Sequence, residues 1–214
     1  MADETVSAAE SYSERIAVKI RTLELLSVLD MLCLVILIVI QTLAAMKMSV
    51  LNKLLEQRAY TDAHTGLPNK DACEVLLNNK ETVAKHTACM MFDLNNLKII
   101  NDTKGHSKGD QLILNFARLL RNVIPQKDFV GRYGGDEFMV VIYNTSKTEI
   151  EDILKQLSRE KDRLNSSGNN MPIDYACGWA ISDADSECTI QMLLDKADYY
   201  MYENKQAYKK SKKS

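Results

Sequence analysis

The sequence is poor in the residues that mark several protein classes. Among 214 residues there are eight Gly and three Pro, too few for a collagen-like or linker-rich chain. Cysteine occurs five times, at Cys33, Cys73, Cys89, Cys177 and Cys188. The number is odd, no C-x-x-C occurs and no pair has zinc-ligand spacing. A disulfide scaffold and structural zinc are therefore disfavoured, and a reducing compartment is favoured. Histidine appears only at His64, His86 and His106, scattered, which argues against a His-rich metal site. Basic charge is not in excess: 27 Lys and Arg against 29 Asp and Glu give a net charge of -2, so no global surface exists to hold a nucleic acid polymer by counterion release. Apolar residues are not lacking. At 46% hydrophobic and 26% charged the chain is globular rather than disordered. Its length suits one domain plus a sizeable appendage.

The appendage lies at the N-terminus. Met31 to Ile40 reads MLCLVILIVI, ten apolar residues in succession, inside an uncharged run bounded by Asp30 and Lys47. That run is shorter than the ~20 residues a bilayer requires. It reaches the length if Lys47 snorkels and Met48 to Leu51 are included. The run is apolar on every helical face, which suits lipid; a buried core helix or a dimer helix is the alternative. Asp3, Glu4, Glu10 and Glu14 are unlike the basic start of a cleaved signal peptide. The sequence thus divides into an N-terminal segment (1–24), a transmembrane helix (25–50), a helical stalk (51–60) and one further domain (61–214). Flanking basic residues do not orient the span: Arg15, Lys19 and Arg21 balance Lys47, Lys53 and Arg58. In the stalk, Val50 with Leu54 and Leu51 with Leu55 form i,i+4 apolar pairs able to meet a second copy.

After the turn-forming stretch TDAHTGLPNK the pattern alternates. Helices are expected over Asp71–Asn79, Ser107–Ile124 and Thr189 to about Lys205. Another opens at a Thr148/Glu151 capping box and continues through Ile150, Ile153, Leu154 and Leu157. Strands are expected over Thr87–Leu94, Phe129–Tyr133, Phe138–Tyr143 and Ile173–Ile181, the middle two joined by Gly134-Gly135 as a hairpin. The class is α+β, a sheet covered by helices.

Acidic residues fall where strands end. Asp93 closes CMMF, and Asp136 and Glu137 follow the Gly-Gly turn. If the strand and hairpin are neighbours, these carboxylates share one edge. Hard oxygen donors of this kind suit Mg²⁺ or Mn²⁺ with substrate phosphates. The two glycines allow positive φ and close approach of a phosphate-bearing ligand. Between Asp93 and Asp110 lies a polar stretch with Lys98, Asn101, Asp102, Gly105, His106 and Gly109. An amide at Asn101 and a carboxylate at Asp110 together could read a guanine, the carboxylate accepting from N1–H and the 2-amino group. Taken singly, each piece also suits an ordinary solvated turn.

Collinear motifs then carry a resemblance. RYGGDEF (Arg132 to Phe138) resembles the signature of GGDEF domains, the diguanylate cyclases. DAHTGLPNK (Asp62 to Lys70), FDLNNLKIIND (Phe92 to Asp102), GHSKGD (Gly105 to Asp110) and ADYYMYENK (Ala197 to Lys205) resemble the family's other motifs, in order, over Thr61 to about Lys210. The resemblance implies a polymerase-palm-like central sheet flanked by helices. It also implies condensation of two GTP into cyclic di-GMP, with release of pyrophosphate, between two facing domains of a homodimer. Asp93, Asp136 and the backbone carbonyl of Leu94 would be the metal ligands for two Mg²⁺ or Mn²⁺ ions per site, with Asp136 and Glu137 catalytic. Asn101, His106 and Asp110 would hold guanine; Lys98, Lys205, Lys209 and Gly135 would face the triphosphate. Because GTP is cytosolic, the resemblance places the catalytic domain in the cytoplasm, below a single-pass span in the cell membrane.

There are departures. His64 stands where the family usually has Leu, Lys70 for Arg, Asn95 for a frequent Asp, Leu97 for a frequent Phe, and Tyr200 and Asn204 for small residues. The family's inhibitory product site needs Arg-x-x-Asp; here Pro125 replaces the Arg while Asp128 is kept, so that site is expected to be absent. A catalytically silent GGDEF module that binds GTP or a partner protein is the alternative. A cyclic di-GMP receptor is disfavoured by Pro125, and a cyclase of relaxed base choice by Asp110.

Overall fold

The computed structural model describes residues 2–79, 82–168, 171–182 and 187–211. The chain divides into two units, Met1–Leu55 and Glu56–Ser214. The first is part of one uninterrupted helix, α1 (Ala2–Ala59), which runs through the N-terminal segment, span and stalk alike. Those divisions are therefore differences of composition, not of backbone. Every side chain from Met31 to Ile40 is exposed on α1. The helix is long and apolar enough to cross a membrane.

The second unit contains α2 (Lys70–Leu77), β1 (Ala88–Leu94), α3 (Leu97–Lys104), α4 (His106–Val123), β2 (Phe129–Arg132), β3 (Glu137–Ile142), α5 (Lys147–Ser166), β4 (Tyr175–Ile181) and α6 (Ile190–Ser211). The strands form an antiparallel sheet in the order β2-β3-β1-β4. Because β1 is central and covered on both faces, its seven residues are all buried, which is why it reads as a continuous apolar run. Alternate residues serve the two faces. Met90, Phe92 and Leu94 join Leu112, Phe116, Leu120, Ile150 and Leu157 from α4 and α5. Cys89 and Met91 join Cys73 of α2 and Leu193, Ala197 and Met201 of α6. The first face is centred on Phe116, whose ring meets those of Phe92, Phe138 and Tyr175 at centroid distances of 5.9, 5.0 and 5.1 Å. On the second face, burial pushes the thiols of Cys73 and Cys89 up to about 12, so both stay protonated and inert at neutral pH.

Four local expectations are corrected. Leu97–Lys104, a polar stretch to which the sequence assigned no element, is the helix α3; it has only Leu97 and Ile100 buried and starts at Asn96 in the left-handed region without a side-chain cap. The capping box of α5 is Ser146 with Glu149, not Thr148 with Glu151: Ser146 Oγ accepts from the Glu149 N–H, and the Glu149 carboxylate accepts from the Ser146 N–H at 2.7 Å. The basic terminus is helical as far as Ser211. β4 begins at Tyr175 rather than Ile173, because Ile173 N and O are both bound by the Asn165 side chain.

Candidate active site

Strand register places the acids. Asp93 of β1 is the cross-strand partner of Glu137 of β3, and the Leu94 N–H donates to the Asp136 carbonyl at 2.9 Å. Residues 89, 91 and 93 share the α6 face, so Asp93 meets that helix one turn beyond Met201. There Lys205 Nζ donates to Asp93 Oδ2 at 2.5 Å. Asp93 is only 6% exposed, and a carboxylate so buried is tolerated only when paired. Its other oxygen, Oδ1, is buried with no hydrogen-bond partner. Glu137 is half-buried beside these groups. Its carboxyl is held above the ordinary range by burial first, then by the negative charges of Asp136, Asp93 and Asp198, with Lys205 opposing. Asp198 of α6 is a contributor that strand-end reasoning missed; its signal lay within the closing helix motif.

The donor set fits a hard divalent cation. An orphaned carboxylate oxygen at Asp93, with Asp136 and Glu137 adjacent, offers oxygen ligands. Among the described residues no three His, Cys, Asp or Glu side chains converge as a closed cage. A hard divalent cation commonly takes one or two carboxylates and completes its shell with water and phosphate.

The hairpin turn is fixed from outside. Arg132 donates to both oxygens of Asp62 at 3.2 and 3.1 Å and to the Gly135 carbonyl at 2.9 Å. Asp62 also accepts from the Thr65 N–H and hydroxyl at 2.8 and 2.6 Å. Burial works to raise the Asp62 carboxyl, but the Thr65 donors and the Arg132 charge outweigh it and hold it below the usual range. Neither Gly134 nor Gly135 adopts positive φ, so the conformational reason given for them fails; positive φ is confined to Gly66, Gly105 and Gly168 among the glycines. Steric reasons remain. A Cβ at Gly134 would fall 2.6 Å from Glu137 Oε2, whereas one at Gly135 would meet nothing within 4 Å, leaving open space over the turn.

Asn101 and Asp110 lie on α3 and α4, which meet at Gly105 with φ of 85°. Asn101 Oδ1 is buried without a partner, and a Cβ on Gly109 would lie 1.9 Å from it. Gly109 is therefore the position that admits the Asn101 amide beside Asp110. Asp110 itself is exposed, as are His106, Lys98 and Lys209. Among the described residues no hydrogen bond joins Lys98, His106 or Lys209 to the carboxylates. Asp128 turns inward: Oδ1 accepts from the Tyr143 N–H at 3.1 Å, beside a cleft of about 440 Å³ that Pro125 and Arg121 also line.

A four-stranded antiparallel sheet flanked by helices thus carries paired acids at one end. The family description "Diguanylate cyclase, GGDEF domain" matches residues 59–211, and the chain belongs to this family. It is 30% identical over 165 residues to diguanylate cyclase DgcP of Escherichia coli (strain K12), covering 75% of this chain and 48% of that protein. It is 32% identical over 146 residues to cyclic di-GMP phosphodiesterase PdeB of Shewanella oneidensis, covering 67% of this chain and 17% of that one. The chain thus spans half or less of the length of these relatives. Among solved structures it resembles a microbial GGDEF domain studied for its interaction with bis-(3′,5′)-cyclic di-GMP, with a TM-score of 0.60, 27% identity, and coverage of 72% of this chain and 94% of that one.

Proposed function

We propose that the chain is an active, membrane-tethered diguanylate cyclase. Asp93 carries this proposal: it is a buried carboxylate with one oxygen unmatched, in register with Glu137 and adjoining the Asp136 turn. Asp93 and Asp136, with the Leu94 carbonyl, would hold two Mg²⁺ or Mn²⁺ ions; when bound, such ions offset phosphate charge in an in-line displacement. Asn101, His106 and Asp110 would orient guanine, and Lys98, Lys205 and Lys209 the triphosphate, with Gly135 leaving room above the turn. In each half-reaction the 3′-oxygen of one GTP bonds to the α-phosphorus of the other. The bond to the bridging oxygen breaks and pyrophosphate leaves. Asp136, with Glu137 beside it, accepts the hydroxyl proton.

Each domain as assigned binds one GTP, so two must face each other. The exposed apolar length of α1 suits both a single membrane pass and pairing with a second copy, with the catalytic unit in the cytoplasm where GTP is. Pairing raises effective concentration and lowers the entropy cost of alignment. One observation favours the silent module instead: Lys205 already occupies one oxygen of the proposed metal ligand Asp93.

Turnover of GTP with Mn²⁺ distinguishes the two. The isolated Thr61–Ser214 domain should gain specific activity as its concentration rises, and fusion to an unrelated parallel coiled coil should restore activity on dilution. A monomeric domain whose specific activity is independent of concentration would contradict the two-domain mechanism. Product feedback through Pro125–Asp128 is not expected, so progress curves should not change when a phosphodiesterase removes product.

A further inference from the structure

The Nε2 atom of His64 lies 2.9 Å from the backbone carbonyl of Asp110, across 46 positions of sequence. A carbonyl oxygen only accepts, so Nε2 carries the hydrogen and donates. The carbonyl has two lone pairs and can receive this donor without giving up a helical one.

Both ends of this contact have distinct mechanical characters. His64 stands in a turn that is held on all sides. Within it Gly66 N donates to Asp62 O and Asp62 N to Leu67 O, each at 2.8 Å. Arg132 clamps Asp62, and Arg121 Nη2 donates to Gly66 O at 2.7 Å. The other end is the start of α4, which leaves α3 through the single residue Gly105. Its first turn is closed by Lys108 N and Gly109 N on the Gly105 carbonyl, at 3.0 and 3.4 Å, with no side-chain cap. Asp110 and Arg121 are eleven positions apart, about three helical turns, and so share one face of α4. The rigid turn therefore grips α4 at two points on that face, and His64 supplies the grip nearest Asp110.

We infer that His64 is a positioning residue for base recognition. It fixes the α4 turn that carries Asp110 and seats Gly109 against Asn101, so that the amide and carboxylate are held at one separation. This inference rests on the proposed role of Asn101 and Asp110 toward guanine. Its signature is selectivity. The carboxylate is assigned to N1–H and the 2-amino group, and only the latter is missing from inosine. Loosening the α4 turn must weaken guanine more than inosine, whereas a general loss of structure would weaken both.

The test is equilibrium binding of 3′-deoxy-GTP and 3′-deoxy-ITP, which lack the attacking hydroxyl, to the full chain in detergent micelles. His64→Leu should cut the preference for the guanine nucleotide by about fivefold, the scale of one net hydrogen bond, with inosine binding weakened less than guanine binding. His64→Gln, whose amide reaches the same carbonyl, should keep the preference; His64→Asn, one methylene shorter, should lose it. The Gln and Asn pair decides the matter if the Leu variant does not fold. An unchanged preference in Leu and Asn variants, an equal loss of both nucleotides, or a Gln variant no better than Asn would overturn the inference. Asp110→Asn separates this from the underlying assignment. If wild type shows no guanine preference, or Asp110→Asn retains it, the base-binding role of Asp110 falls and takes this inference with it.

Discussion

The carboxylate edge and the proposed base-reading corner of this domain are built by different means. At the edge, position follows from strand register: once Ala88 pairs with Ile142, Asp93 must face Glu137. At the corner, position follows from one glycine junction, one tight packing of Asn101 on Gly109, and a long reach from His64. Register is shared among many backbone hydrogen bonds and tolerates loss of any one side chain. The corner depends on a few side-chain contacts, so single substitutions there should alter selectivity before they alter folding.

The largest expected effect is chemical and lies at the edge. Asp93→Ala or Asp136→Ala should reduce cyclic di-GMP formation toward background, as expected if each is a metal ligand as proposed. Circular dichroism should remain that of the wild type. Full activity in either variant would remove that residue from the site. The next effect is steric and sharpens the contrast. A Cβ at Gly178 would lie 2.1 Å from Met201 N and 2.2 Å from Ala197 O, both backbone, so Gly178→Ala must push α6 off β4. A loss of about 1–3 kcal/mol in denaturant unfolding is expected. Gly109→Ala meets only side chains, the Asn101 amide at 1.9 Å and Leu97 Cδ1 at 3.2 Å, and these can move. It should cost less stability and more nucleotide affinity.

Arg132→Met removes the clamp between the opening turn and the hairpin. Asp62 is then left without its cation, with a loss of about 2 kcal/mol for this partly exposed pair. The acid side of the stability profile should change as well. The Asp62 carboxyl is held below its ordinary value in the folded state, so the unfolded chain binds the extra proton first as pH falls. The pair's contribution is therefore present above the ordinary carboxylate range and is lost as pH drops through the folded value. Unfolding of Arg132→Met measured from neutral to acidic pH should fall less steeply than that of the wild type. Smallest is Ser146→Ala, which removes the α5 cap and should cost about 1 kcal/mol, read as a lower melting temperature with activity unchanged.

How far the sequence revealed the site depends on the same contrast. Asp93, Asp136 and Glu137 were legible because the end of an apolar run and a Gly-Gly hairpin leave strand-end and turn signals. The four strands and the helices α4, α5 and α6 were legible because each carries a sustained apolar signal, a short run in β1 and β3 and a helical period in α4, α5 and α6. α3 was not, since eight residues with two buried positions and a left-handed N-cap give no period to detect. The α5 cap was missed by two residues because Ser146-x-x-Glu149 and Thr148-x-x-Glu151 overlap in one polar stretch, and only backbone geometry separates them. The Lys205–Asp93 pair and the His64–Asp110 contact were invisible as contacts, because they join positions 112 and 46 residues apart. The positive φ expected of Gly134 and Gly135 failed because the turn there is shaped by Arg132 holding the Gly135 carbonyl.

The most direct test of the central claim is stoichiometric. The full chain in detergent micelles, given GTP and Mn²⁺, is assayed for pyrophosphate and for nucleotide products by chromatography. A cyclase yields cyclic di-GMP and two pyrophosphates for each cyclic product, with none from Asp93→Ala. GTP that binds and is recovered intact from the wild-type chain would contradict the claim and leave a silent binding module.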